Sequence, residues 1–161
     1  MQKITPCLWF DGKAEEAVNF YTSIFKNCTI EKTSRYGDEA AKASGQPTGR
    51  VMVMTFQLDG QQFMALNGGP MFKFTPAISM MVNCETQAEV DHFWDKLSAG
   101  GATSRCGWLT DKFGVSWQIV PAALGRLMSG ADPEKSKRVM TAMLAMTKLD
   151  IGLLQQAYDQ G

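Results

Sequence analysis

A strand, an amphipathic helix and three further strands are legible between Ile4 and Asn67, and the same order returns between Ala77 and Val120. In the first pass the apolar run Ile4–Phe10 is strand-length and is closed by Gly12. Ala14, Ala17, Val18, Tyr21, Ile24 and Phe25 then recur at the spacing that lines one face of a helix. Glu15 and Glu16 fall in its first turn, where the positive end of the helix dipole favours them. A helix is predicted over about 13–26, followed by strands at Cys28–Tyr36, Arg50–Leu58 and Gln62–Asn67. Asp59-Gly60 is a hairpin signal between the last two. The segment 37–49, GDEAAKASGQPTG, carries Gly and Pro and has no apolar period, so a surface loop is expected there.

The second pass begins after Asn67-Gly68-Gly69-Pro70 breaks the chain. Ala77–Glu85 reads as a strand, and Thr86 with Glu89 three residues on makes a capping box for a helix over about 86–99. Val90, Phe93, Trp94 and Leu97 are its expected buried stripe, stopped by Gly100-Gly101. Shorter strands follow at about 102–106, about 107–111 and Val115–Val120. The passes also match in detail. Thr5-Pro6 and Thr75-Pro76 open the leading strands, Phe20-Tyr21 and Phe93-Trp94 sit at matching helix positions, and Ile24 matches Leu97. A duplicated unit of this kind predicts an α+β protein of two βαβββ modules. The expected boundaries are about 1–70 and 71–121 within a domain 1–129, followed by a helical tail over 130–161.

Just before the tail, Pro121 is expected to start a short helix through Met128. Asp132-Pro133 then pairs an N-cap with a first-turn proline, and Asp150 caps a last helix. Val139, Met140, Met143, Leu144, Ile151, Leu154 and Tyr158 give the tail more apolar faces than one module needs. Such a tail serves either as a packing arm or as a contact between two copies of the chain; a homodimer is expected.

Charge narrows the partners. Sixteen Lys+Arg balance sixteen Asp+Glu, and the two signs are interspersed. No field exists to hold nucleic acid or an anionic membrane, so neither is expected as a partner. No run of 18 apolar residues is present, and the N-terminal stretch lacks the pattern of a signal peptide. Cys7, Cys28, Cys84 and Cys106 stand at wide, irregular spacings. They read as reduced thiols in a cytoplasmic protein rather than as a disulfide framework.

The strings PCLWFDGKAEEAVNFY (6–21), TDKFGVSWQIVP (110–121) and KRVMTAMLAMTKLDIGLLQQAY (137–158) carry a resemblance. They resemble the PhnB-like proteins, often labelled 3-demethylubiquinone-9 3-methyltransferase, of the vicinal oxygen chelate (glyoxalase/bleomycin-resistance/dioxygenase) superfamily. The resemblance implies curved mixed sheets, each with its helix on one face, and a cleft on the concave side. In metal-dependent members the first, fourth, fifth and eighth strands each send in a ligand, normally His, Glu or Gln. Here those positions fall on Cys7 or Trp9, on Met64, on Ser79 and on Gln118.

A thiol, a thioether, a hydroxyl and an amide make a poor cage for a divalent ion, so neither a metal nor a cofactor is expected. His92, the one histidine, lies off the apolar stripe of its helix and is expected to face solvent. Strand parity places Met81 with Ser79 and Gln118, and Cys7 with Trp9, so Cys7, Trp9, Met64, Ser79, Met81 and Gln118 are the candidate ligand-binding residues. That lining suits a small apolar organic ligand oriented by a few polar groups. The methyltransferase label finds no Gly-rich strand-to-helix turn in Asn67-Gly68-Gly69-Pro70 or Ser98-Ala99-Gly100-Gly101. Two functional classes stand: a metal-free binding protein, and a metal- or cofactor-dependent lyase, transferase or dioxygenase.

Overall fold

The computed structural model describes residues 2–160. The chain divides into two compact units, 1–74 and 75–161. The first contains β1 (Cys7–Phe10), α1 (Ala14–Ile24), β2 (Thr29–Arg35), α2 (Asp38–Ser44), β3 (Val51–Leu58) and β4 (Gln61–Asn67). The second contains β5 (Ser79–Cys84), α3 (Gln87–Ser98), β6 (Ala102–Thr103), β7 (Trp108–Thr110) and β8 (Ser116–Pro121). It continues into α4 (Ala122–Met128), α5 (Pro133–Ala145) and α6 (Ile151–Asp159).

The two sheets have the same topology: β1-β4-β3-β2 in one and β5-β8-β7-β6 in the other. In each, the first and last strands of the unit pair in parallel, and the remaining neighbours run antiparallel. The protein is α+β with a duplicated mixed sheet, as the repeated order predicts. Aromatic pairing agrees too, since Tyr21 and Trp94 are buried whereas Phe20 and Phe93 are only half-buried. Phe93 therefore leaves the predicted stripe of α3; it lies edge-on to His92 with ring centroids 5.1 Å apart.

Burial follows the pleat. In the first unit Leu8 and Phe10, Phe56 and Leu58, and Phe63 and Ala65 point to the face covered by α1, meeting Ala14, Ala17, Val18 and Tyr21. Phe56 and Phe63 are register partners whose rings stack at 5.6 Å. Each such large side chain taken out of water contributes roughly 1.5–3 kcal/mol. In the second unit Val82, Cys84, Leu109, Trp117 and Ile119 do the same under Val90, Trp94 and Leu97 of α3. Asp59 and Gly60 adopt φ of 46° and 80°, the left-handed pair that a two-residue hairpin needs.

The segment 37–49 is where the sequence expectation fails. Its first half is the helix α2, not a loop. Asp38 and Glu39 occupy its first turn, Lys42 its last, and Gly45 ends it with φ of 71°. Only Ala41 is buried, so no apolar period announced the helix. Elsewhere the differences are at ends: β1 starts at Cys7, leaving Ile4 82% exposed, and Pro121 is the N-cap of α4 rather than its first residue. The capping box of α3 forms with a shift. Thr86 Oγ1 accepts from the Glu89 N–H, and Glu89 reaches the Glu85 N–H instead of that of Thr86.

The C-terminal helices pack on the second unit. Leu127, Val139 and Leu154 form a buried cluster, with Met143 and Tyr158 against it. The connection 146–150 is held by backbone bonds from Cys106 to Met146 and from Gly107 to Thr147, at 2.9 and 2.8 Å. Gln87 of α3 clamps it, donating to the Leu149 carbonyl and accepting from the Ile151 N–H. Lys148 pairs with Asp91 at 2.8 Å. Met140, Leu144 and Leu153 stay 37%, 53% and 52% exposed. Among the described residues no helix is long and apolar enough to cross a membrane.

Candidate functional site

Each sheet has one face covered by its helix and an opposite face on which the candidate residues lie. In the first unit register aligns Cys7 with Met64 and Trp9 with Leu66 across β1 and β4, and Thr55 and Val53 of β3 continue the two rows. Cys7, Trp9 and Met64 are thus brought together as parity predicts. Trp9 is fixed on three sides. Its indole N–H donates to the Gly69 carbonyl at 2.8 Å, and its ring meets the edge of Phe72 at 5.0 Å. Gly68 lies flat beneath it; a Cβ there would fall 2.2 Å from the ring. Asn67-Gly68-Gly69 is therefore the seat of the tryptophan, a use that sequence pattern alone did not reveal.

The row beyond Met64 is polar. Gln62 of β4 and Gln57 of β3 are register partners, and both side-chain amides donate to the carboxylate of Glu31, the Gln62 bond at 2.8 Å. Thr5 donates to Gln62 Oε1 at 3.2 Å. Thr29 pairs with Gln57, so alternation along β2 puts Glu31 on this face, and the slip between Ile30 and Lys32 brings Lys32, opposite Thr55, onto it as well.

In the second unit Gln118 of β8 lies between Met81 of β5 and Trp108 of β7. Its amide donates to Ser79 Oγ at 2.8 Å. Ser79, Met81 and Gln118 are again one group, with Met81 56% exposed. Trp108 joins them; its place became evident only from the register of β7, a three-residue strand. Glu31 and Gln57 were likewise not singled out in the sequence, because the face that each shares with Met64 follows from the pairing of β2 with β3 and of β3 with β4.

The titratable groups near these faces are few. Burial pushes the Cys7 thiol up from its ordinary value, which keeps it protonated and a weak nucleophile. Cys84, on the helix-covered face, is pushed up to about 11 by burial and then by the Glu89 carboxylate. Its neutral form is the one folding retains. Stability is therefore expected to hold up to about pH 9 and to fall as pH rises from there through about 11. Titration of unfolding against pH, compared with Cys84→Ala, checks this; an unchanged alkaline slope in the variant would refute it.

The donor set at the four positions where metal-dependent members carry ligands is a thiol or indole, a thioether, a hydroxyl and an amide. Among the described residues no three of His, Cys, Asp and Glu stand close enough to hold an ion. These residues do not fit a divalent metal. His92 is exposed on α3.

The match to known proteins agrees with this geometry. The 3-demethylubiquinone-9 3-methyltransferase family matches residues 2–120. The chain belongs to this PhnB-like family. The match ends before the tail string 137–158 that contributed to the resemblance. A PhnB protein from Bacillus cereus carrying the same methyltransferase label is 44% identical; the alignment covers 75% of this chain and all of that one, with a TM-score of 0.67. A protein from Pseudomonas aeruginosa shares the fold at 23% identity and a TM-score of 0.61, over 75% of this chain and 98% of its own. So does the fosfomycin resistance protein FosX from Listeria monocytogenes, at 12% identity and a TM-score of 0.52, over 76% and 93%. No curated protein matches the chain.

Proposed function

We propose that each open sheet face of this PhnB-like chain, one bearing Cys7, Trp9 and Met64 and the other Ser79, Met81 and Gln118, is a surface for a small, mainly apolar organic molecule bound without a metal ion. The observation that carries the reading is the seating of Trp9. A partly exposed indole held by Gly69, Phe72 and a glycine floor is a preorganised apolar surface, which lowers the ordering cost of binding. The Gln118–Ser79 pair beside Met81 and Trp108 supplies the few polar groups that orient a ligand in an apolar setting. Methyl transfer is not the reading offered. Of the two glycine-rich stretches, one leaves β4 for an irregular, turn-bearing segment and seats Trp9, and the other joins α3 to β6.

The protein acts as a homodimer in a reducing cytoplasm in this reading. Exposed Met140, Leu144 and Leu153, with Met71, Phe72 and Ile78, support association, and four free thiols support the compartment. Light scattering on the full chain reads the assembly.

The neutral fluorescent probe N-phenyl-1-naphthylamine tests the binding face. It is expected to bind the purified chain, and Met64→Lys and Met81→Lys each bring an ammonium onto an open face. At least one should weaken it about tenfold, equivalent to about 1.4 kcal/mol. Elemental analysis should find no stoichiometric Ni, Zn, Mn or Fe. Probe affinity unmoved by both variants, or a tightly held equivalent of one of these metals, would overturn the reading in favour of the metal-dependent class.

A further inference from the structure

We propose that the polar row of the first unit, centred on Glu31, is a subsite for a protonated amine or a comparable cationic donor on the bound molecule. The inference rests on the binding reading above and names the ligand chemistry that it leaves open. Glu31 is the acidic side chain of this row; alternation from Thr29, the partner of Gln57, puts it on the face that bears Met64. Both of its oxygens are engaged, one by Gln57 and the other by Gln62. Gln62 is in turn tied to Thr5 through its own carbonyl oxygen. Two amides from adjacent strands therefore fix the carboxylate's plane and position.

An ionised carboxylate offers about four lone-pair sites, and two neutral donors leave the rest, and the whole charge, unspent. Among the described residues no cation lies within ion-pair distance of it, although Lys32 follows it directly in the chain and faces the same side, opposite Thr55. A charge held rigidly by neutral amides and left without a counter-ion is a recognition element for a cation. Its setting decides the rest of the ligand. Gln62 precedes Met64 by two residues on β4, so the polar row adjoins the apolar row of Cys7, Met64 and Thr55. The shape of that surface matches an amphipathic amine, with an apolar body over Met64 toward Trp9 and the ammonium on Glu31.

Three probes of one shape separate charge from shape: 2-naphthylmethylamine, 2-naphthylmethanol and 2-naphthoate, titrated by calorimetry into the full chain at low and at moderate salt. The ammonium is expected to bind about twofold to fivefold more tightly than the alcohol at low salt, and the carboxylate more weakly than either. The preference should shrink as salt rises, because Glu31 is exposed. In Glu31→Gln the advantage of the ammonium should vanish while the alcohol binds as before. Lys32→Gln, a charge change of the same size one residue away, should keep or raise it. The side-chain amide signals of Gln57 and Gln62 should move with the amine in the unsubstituted chain. Equal binding of amine and alcohol, or a preference that survives Glu31→Gln, overturns the subsite and leaves the apolar-binding reading standing. Failure of all three naphthyl probes to bind overturns both.

Discussion

Asp111→Ala is expected to lower the stability of the chain by roughly 3–5 kcal/mol, the cost of leaving three donors, two of them buried, without their acceptor. Asp111 is 2% exposed at the turn between β7 and β8. One oxygen accepts from the Phe113 and Val115 backbone N–H groups at 2.8 and 3.0 Å, and the other from the Trp117 indole N–H at 2.8 Å. Val115 and Trp117 are each 3% exposed, so water cannot replace the lost acceptor. The carboxylate therefore sets both the turn and the rotamer of the largest side chain under α3. For a chain of this size the loss corresponds to a fall of about 10 °C in melting temperature. Asp111→Asn keeps one acceptor oxygen but turns an N–H₂ toward donors, so it should recover only part of the loss. Urea unfolding of the two variants beside the parent reads these differences; a loss below about 1 kcal/mol in the alanine variant would show the network to be dispensable.

The turn illustrates what the sequence can and cannot disclose. Asp111, Lys112, Phe113 and Gly114 have the composition of a turn, and a turn is what they form. That the aspartate also reaches Trp117 depends on β8 folding back in register, which composition does not encode. The duplicated order was legible because both helices carry a strong apolar period and both leading strands open on Thr-Pro. The strand ends, by contrast, moved by one to three residues, since pairing partners and not local preference decide where a strand stops. Helix α2 was missed for a definite reason: it buries only Ala41, and a helix with one buried apolar residue has no stripe to detect.

The candidate faces were legible to the extent that alternation holds. Cys7, Trp9 and Met64 on one sheet, and Ser79, Met81 and Gln118 on the other, lie where a period of two puts them. Glu31 was not legible because the face it shares with Met64 is fixed by the register of β2 on β3, which alternation within β2 does not supply. Trp108 was not, because β7 is too short to show any. In both places the register had to be seen before the face could be assigned.

The last expectation concerns the start of α1. Asn67→Ala should cost roughly 3–4 kcal/mol, because it strands groups from two other elements at once. Lys13, at the N-cap, makes no side-chain bond to the helix. The N–H of Ala14, a fully buried residue, is met instead by Asn67 Oδ1 at 2.9 Å, from the end of β4 and 53 residues away. Asn67 Nδ2 donates to the Val51 carbonyl at 2.9 Å, and its own carbonyl accepts from Tyr36 Oη at 2.7 Å. One side chain thus joins the first turn of α1 to the start of β3, at the strand end that also leads into the glycine seat of Trp9. Alanine removes both side-chain bonds and leaves the Tyr36 contact, which uses the backbone. Aspartate keeps an acceptor for Ala14 at the positive end of the helix dipole but loses the donor to Val51, so Asn67→Asp should fall between parent and alanine variant. Amide hydrogen exchange distinguishes this from a loss of packing. Protection at Ala14 should drop sharply in Asn67→Ala and persist in Asn67→Asp. Equal protection in all three proteins would mean that the helix holds its first turn without the asparagine.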